Sequence, residues 1–322
     1  MKSGNRRDTK GKVLTRQDVE ELLHQVESPK HLDLTGHDLT GIDLSGLDLR
    51  GAILRQTNLT GAICYQTDLR GADLTDAILE RAILSGANLG DRLSEGVKFN
   101  GANFATNSFA GMKALGVDFR AVVFSVPLQA YTSEMQKCDF SLAYLLEARF
   151  DNAKLDEILF VEAKLAWSNF RGACLQQVNF HDANLSHVLF DSSKLTAVDF
   201  QGANLSGTSF KDATLRQVDF RQANLSRASF EEADLTGVHG EGANFSEANF
   251  HGTNLTEAHL EGANFSRAAF TEAILTKTEL PKTNLSKIRW EGCHFSETVV
   301  SGAFLNEQEK VWLRGQSVQG LC

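Results

Sequence analysis

The residues of this chain that could do chemistry are scattered rather than grouped. Five cysteines, Cys64, Cys138, Cys174, Cys293 and Cys322, occur without CxxC spacing, so neither a zinc site nor a disulfide framework is indicated. Nine histidines, among them His181, His187, His239, His251 and His259, lack ligand spacing. Asp and Glu number 41 against 32 Lys and Arg, but nothing around them suggests the apolar pocket that would tune a carboxylate for acid–base work. No nucleophile–base pair and no phosphate-binding glycine loop accompanies them. The expectation is a non-enzymatic protein with no cofactor and no metal site.

The elements that carry these residues repeat every five positions. From Leu34 the step of five meets Leu39, Leu44, Leu49, Leu54, Leu59, Cys64, Leu69, Leu74, Leu79, Leu84 and Leu89, then Phe99, Phe104, Phe109, Phe119 and Phe124, with Ser94 and Ala114 as weak positions. From Phe140 to Leu305 the same step meets Leu or Phe throughout, except at Gly240, Trp290 and Val300. Two residues before each centre the side chain is nearly always small or β-branched, as at Ala143, Ala153, Val178 and Thr208, and Asp or Asn often directly precedes the centre. A period of five fits neither a helix of 3.6 residues per turn nor an extended strand, so the chain must turn at every repeat, with two inward residues forming one short side of a square.

This tandem A(D/N)LXX pattern, seen in GADL at 71–74 and GANL at 202–205, resembles the pentapeptide-repeat family over about residues 32–305. The resemblance implies an all-β fold, a right-handed quadrilateral β-helix with four repeats per coil. Coils stacked at strand spacing, about 4.8 Å, place residues twenty apart above one another and let the backbone pair between coils. Each buried Leu or Phe contributes on the order of 1.5–3 kcal/mol before entropy is subtracted. Phe and Leu alternate strictly from Phe140 to Leu235, and at Gly240 the missing side chain leaves either a local hole or room for a neighbouring aromatic.

Both ends need covering, since a solenoid otherwise exposes its edge and core. Thr15 followed by Asp18 reads as a helix start for about 16–27, with Val19, Leu22, Leu23 and Val26 on one stripe, and short capping helices are expected at both termini. Residues 1–31 are read as a flexible basic tail plus this N-terminal capping helix, and 32–124 as a first repeat block. The step from Phe124 to Phe140 exceeds three repeats by one residue, so 125–139, which contains Pro127, is expected to be a register-breaking loop. Residues 140–305 form the second block. Residues 306–322 form the C-terminal cap, where Asn306 with Glu309 repeats the start signal, Gly315 is the stop, and Val311, Trp312 and Leu313 cover the last coil or make a two-fold contact.

Several outward positions after the slip are apolar: Leu142, Tyr144, Leu146, Leu159, Val161 and Trp167. Such a patch is normally buried against something. Either Val126, Leu128, Tyr131 and Met135 fold back over it, or a partner does. A smaller outward cluster is Ile63, Tyr65 and Ile83, the two isoleucines twenty residues apart.

The net charge of −9 argues against direct nucleic-acid binding through a basic face, and no apolar run long enough to cross a membrane occurs. The expectation is a cytoplasmic interaction scaffold with a protein partner of unknown identity and a possible homodimer through the C-terminus. The family resemblance implies an alternative, an acidic DNA mimic that binds DNA gyrase or topoisomerase IV, a type II topoisomerase, and protects it from fluoroquinolones. Residues 138–305, with 22 acidic against 14 basic side chains, form the acidic part.

Overall fold

A computed structural model describes residues 13–79, 82–84, 87, Phe119 and 128–321, together with the backbone of strands at 103–104, 113–115 and 123–124. The basic tail 1–12, the repeat centres Leu89, Ser94, Phe99 and Phe109, the loop residues Val126 and Pro127, and Cys322 lie outside the described residues. The fold is an all-β solenoid of pentapeptide repeats, with two short α-helices among the described residues. The chain divides into two compact units, one comprising 1–129 and 134–140 and the other 130–133 and 141–322.

In the first unit, helix α1 (Arg16–Gln25) begins at the expected capping box: the Asp18 N–H donates to Thr15 Oγ1 at 3.2 Å and the Thr15 N–H to Asp18 Oδ2 at 2.8 Å. It is seated by its buried Val19 and by Arg16, which donates to the carbonyls of Asp43 and Ser45 at 3.1 Å. Beyond it the backbone pairs at a spacing near twenty, with the Leu34 N–H donating to the Ile53 carbonyl at 2.8 Å and Asn58 to His37 at 3.1 Å. The spacing then changes. Asn103 and Phe104 pair in parallel with Val123 and Phe124, twenty residues on, whereas Lys113 and Ala114 pair with Glu134 and Met135, twenty-one on. Phe119 likewise stacks on Phe140 at 4.4 Å.

The expected loop over 125–139 is corrected accordingly. From Leu128 the chain is back in the repeat, with Leu128, Ala130, Ser133, Met135, Cys138 and Phe140 all buried in alternation with more exposed neighbours. Ala130 and Met135 stand at centres that elsewhere hold Leu or Phe; small Ala and pliable Met fill those places without matching the pattern. One extra residue between Phe124 and Leu128 suffices for the slip.

In the second unit each repeat has the same anatomy. The centre and the residue before it use their N–H groups between coils, as where Leu165 donates to the Asn184 carbonyl at 2.8 Å and Asn184 to Ala163 at 2.9 Å. Rings stack along two columns, Phe160, Phe180, Phe200 and Phe220 at 4.9–5.2 Å and Phe170, Phe190, Phe210 and Phe230 at 5.0–5.1 Å, and meet edge-on across the core. Buried hydroxyls at the small positions donate to the coil before, Ser168 to Leu145 and Thr208 to Leu185, both at 2.9 Å. This removes the cost of a polar group in the core.

At Gly240 the aromatic column changes side. Phe245 approaches Phe220 at 6.5 Å and Phe230 at 6.0 Å and starts a new stack on Phe265 at 4.9 Å. A Cβ on Gly240 would lie 2.8 Å from Leu260 Cδ2 and 3.3 Å from the Phe245 ring. The place left by the missing side chain is therefore filled by neighbours.

Helix α2 (Glu307–Leu313) closes the second unit through the Asn306–Glu309 capping box. Glu309 also accepts the Lys287 N–H at 2.6 Å, which ties the helix to the last coil. Leu313 is buried, and Trp312 stacks on Trp290 at 5.8 Å.

Candidate functional site

Each repeat turns through a residue in the left-handed region, where a side chain other than Gly, Asn or Asp is disfavoured. Most of these turns in the second unit carry Gly or a polar residue, such as Asn152, Glu162, Asp182 or Gln222. Leu142 (φ +62°) and Trp167 (φ +64°) are the two large apolar exceptions among the described residues. They are 50% and 61% exposed. Both strain and solvation thus oppose these residues at these positions.

The inter-coil bonds place them. The Leu142 N–H donates to the Val161 carbonyl at 2.9 Å and the Glu147 N–H to Ala166 at 3.0 Å, so turn residues 142 and 162 share one edge of a side and 147, 167 and 187 the other. Tyr144 bridges Lys164 between those edges. Leu142 and Trp167 are diagonal corners of this two-coil square; Glu147 and Glu162 are the other two. Tyr144, Leu146 and Leu159 are exposed and Val161 partly so. The patch expected from the sequence is therefore assembled within one unit. Leu128 and Met135 are buried core residues, and Tyr131 is exposed with the Arg149 guanidinium 5.8 Å from its ring centre.

His187, noted in the sequence only for its lack of ligand spacing, is a further member of this surface. Its ring stacks on Trp167 with centroids 4.1 Å apart. On its far side lies Gly207 (φ +68°), where a Cβ would come within 2.6 Å of His187 Nδ1. The twenty-residue spacing of 167, 187 and 207 was the signal that could have found this column.

In the first unit Ile63 and Ile83 bridge one another and both are exposed, as is Tyr65. Ile78, which the sequence reading passed over, is 42% exposed as well. At the C-terminal cap the three expected residues divide. Leu313 is buried, Trp312 packs on Trp290 and edge-on to Phe295 at 5.7 Å, and Val311 faces solvent with Phe304.

Charge on the second unit is laddered with alternating sign. Arg171 meets Asp191 at 2.9 Å, Lys211 meets Glu231 at 2.8 Å, Arg227 meets Glu247 at 3.0 Å and Lys277 meets Glu257 at 3.7 Å, each pair twenty residues apart. A hydrogen bond and the charge from Lys211 hold Glu231 below the usual carboxylate range. Burial pushes Asp219 up, but the side-chain and backbone hydrogen bonds from Arg221, with its charge, outweigh that and leave the group lowered. His259 Nδ1 lies 2.8 Å from Glu279 and its ring stacks on His239 at 4.9 Å. No group of three His, Cys, Asp or Glu among the described residues is placed to hold a metal ion, and no helix among them is long and apolar enough to cross a membrane.

Two family models match. The one described as pentapeptide repeats matches in eight copies, at residues 30–61, 38–76, 52–91, 183–222, 223–262 and 248–286, and one described as a pentapeptide repeat region matches 132–200. Among solved structures, HetL, a pentapeptide repeat protein involved in heterocyst differentiation regulation in Nostoc sp. strain PCC 7120, is similar at 22% identity over 89% of this chain and 97% of its own, with a TM-score of 0.25. A trypsin-treated variant of QnrB1, a plasmid-mediated fluoroquinolone resistance protein, is similar at 18% identity over 69% of this chain and 87% of its own, with a TM-score of 0.30. A pentapeptide repeat protein of the Arabidopsis thaliana thylakoid lumen is similar at 26% identity over 40% of this chain and 73% of its own, with a TM-score of 0.19. No curated protein matches the chain.

Proposed function

The chain belongs to the pentapeptide-repeat family, and from that premise we propose that it is a non-catalytic scaffold that binds a protein partner through the apolar square at 142–167. The observation that carries this is the pair Leu142 and Trp167. Each is bulky, exposed and held in a left-handed turn. A solenoid that only had to fold would place Gly or a polar residue there, as it does at 152 and 172. Residues kept against both strain and solvation are supported by a role in binding.

The test uses that same argument. Leu142→Asn and Trp167→Asn suit the left-handed turn better than the native residues, so the double variant should melt no lower than the wild type. In affinity capture from a bacterial lysate it should lose a partner that the wild type retains. A variant that melts normally and captures the same proteins would sink the proposal.

The second reading is the acidic mimic of DNA acting on a type II topoisomerase, favoured by the excess of 22 acidic over 14 basic side chains in 138–305. Against it stands the alternation of sign along the ladders, which breaks up any continuous phosphate-like strip. Titration against purified DNA gyrase separates the two readings. A homodimer through the C-terminus would draw on the exposed Phe304, Val311 and Trp312, and light scattering of Val311→Asp beside the wild type tests it. The four free thiols Cys64, Cys138, Cys174 and Cys293 favour a reducing compartment such as the cytoplasm.

A further inference from the structure

The apolar square also constrains the kind of partner. The backbone N–H groups around it are already used: Leu142 donates to Val161, Glu147 to Ala166, Glu162 to His181 and Trp167 to Ser186, at 2.9–3.0 Å, while Tyr144 and Lys164 are bridged to one another. An extended segment therefore finds no free edge on which to add as a strand. A partner must bring its own backbone already satisfied, as an α-helix does.

The corners specify charge. Glu147 and Glu162 are exposed and neither has an ion-pair partner among the described residues, although ion pairs are frequent elsewhere in the unit, as at Arg149–Asp151 and Arg171–Asp191. Two unpaired carboxylates on one diagonal alternate with Leu142 and Trp167 on the other, and among the described residues the exposed Lys164 beside Tyr144 is the one cation between them, so the square keeps a net negative charge of one. Apolar side chains set among basic ones complement this arrangement.

We propose that the square binds a basic amphipathic helix of a partner protein, its apolar side chains against Leu142, Tyr144, Leu146 and Trp167 and its Lys or Arg side chains on Glu147 and Glu162. This rests on the reading of the square as the partner site. His187 and Gly207 support the arrangement from behind, since the imidazole, lodged over a residue with no side chain, holds the indole in place.

The probes are two synthetic helices with the same leucine face, one flanked by lysines and one by glutamates, each dye-labelled and titrated with the full chain by fluorescence anisotropy. The lysine helix should bind and the glutamate helix bind at least tenfold more weakly. Glu147→Gln with Glu162→Gln should weaken the lysine helix roughly five- to tenfold, as two exposed charge pairs would, and flatten its salt dependence. Leu142→Asn with Trp167→Asn should abolish binding. Equal binding of the two helices, or indifference to the Gln variants, overturns the assignment of a basic partner. Failure of the lysine helix to bind, or binding that survives the Asn variants, overturns the proposal too. The scaffold reading fails separately, when lysate capture by the Asn variants matches the wild type.

Discussion

Asn264 donates its side-chain Nδ2 to Asn244 Oδ1 at 3.1 Å, and the same oxygen accepts the backbone N–H of Ser246 at 3.2 Å. The relation repeats from Asn204 on Asn184 to Asn284 on Asn264, at 3.0–3.3 Å. Each inner amide thus gives one hydrogen bond to the coil before and takes one from the coil after. The ladder has a direction, because every Nδ2 points toward the lower-numbered neighbour.

That direction makes isosteric substitutions unequal. Asn244→Asp places a carboxylate oxygen against Asn224 Oδ1, where Nδ2 had donated at 3.2 Å. The expected cost is roughly 1–2 kcal/mol, from one lost bond and an oxygen–oxygen contact. Asn184 starts the ladder with Lys164, not an amide, in the coil before it. Asn184→Asp keeps its acceptors for Asn204 and Ser186 and should change stability by less than about 0.5 kcal/mol. Urea denaturation of the two variants checks this; equal losses would mean that the ladder carries no directional energy.

Gly240 supplies a second test. Its missing side chain is compensated by Phe245 and Leu260, which occupy the space a Cβ would need. Gly240→Ala should therefore destabilise by about 1–3 kcal/mol, the range for overpacking a filled core, even though Ala is a smaller residue than the Leu or Phe at other centres. Were the place empty, Ala would be neutral or stabilising in thermal melts.

How far the sequence could be read follows from the same geometry. Leu34 to Leu84 and Phe140 to Leu285 are legible because, Cys64 and Gly240 apart, Leu or Phe recurs at one spacing and is buried at each recurrence. Ala130 and Met135 are not legible, since they fill centres without resembling them, and so a stretch of regular coil reads as a loop. Both capping boxes were visible because two named side chains three residues apart do the capping. The apolar square was visible as composition, but the strain at Leu142 and Trp167 was not, because the left-handed turn is a backbone property. His187 was missed because a polar ring at an outward position reads as plain surface, although the twenty-residue step from Trp167 points to it.

Thiol reactivity follows from burial. Desolvation pushes the Cys64 thiol up to about 12, with Asp43 adding to it, and the Cys293 thiol is likewise pushed up to about 12 by burial. Cys138 is buried and Cys174 exposed. In a Cys322→Ser background at neutral pH, Cys174 should react quickly with a disulfide reagent, the half-buried Cys293 slowly, and Cys64 and Cys138 only as the chain unfolds. Fast labelling of Cys64 in the folded protein would contradict the packing of the first unit.

Acid stability carries a defined sign. Asp38, Asp43, Asp48, Asp73, Asp219 and Glu231 are all held below their ordinary values, mainly through hydrogen bonds from Thr, Ser, Arg and Lys partners that outweigh burial where burial opposes them. A carboxylate depressed in the folded state stabilises the fold fully above its unfolded value, 3.8 for Asp, and loses that contribution as pH falls through the lower folded value. The thermal midpoint should accordingly hold steady from neutral pH down to about pH 5 with respect to these groups and drop steeply below about pH 4. Asp219→Asn removes one such group, so its midpoint should start lower at neutral pH and converge on the wild type in acid. A constant gap between the two curves across that range would show that Asp219 contributes by packing alone and not through its charge and the bonds from Arg221.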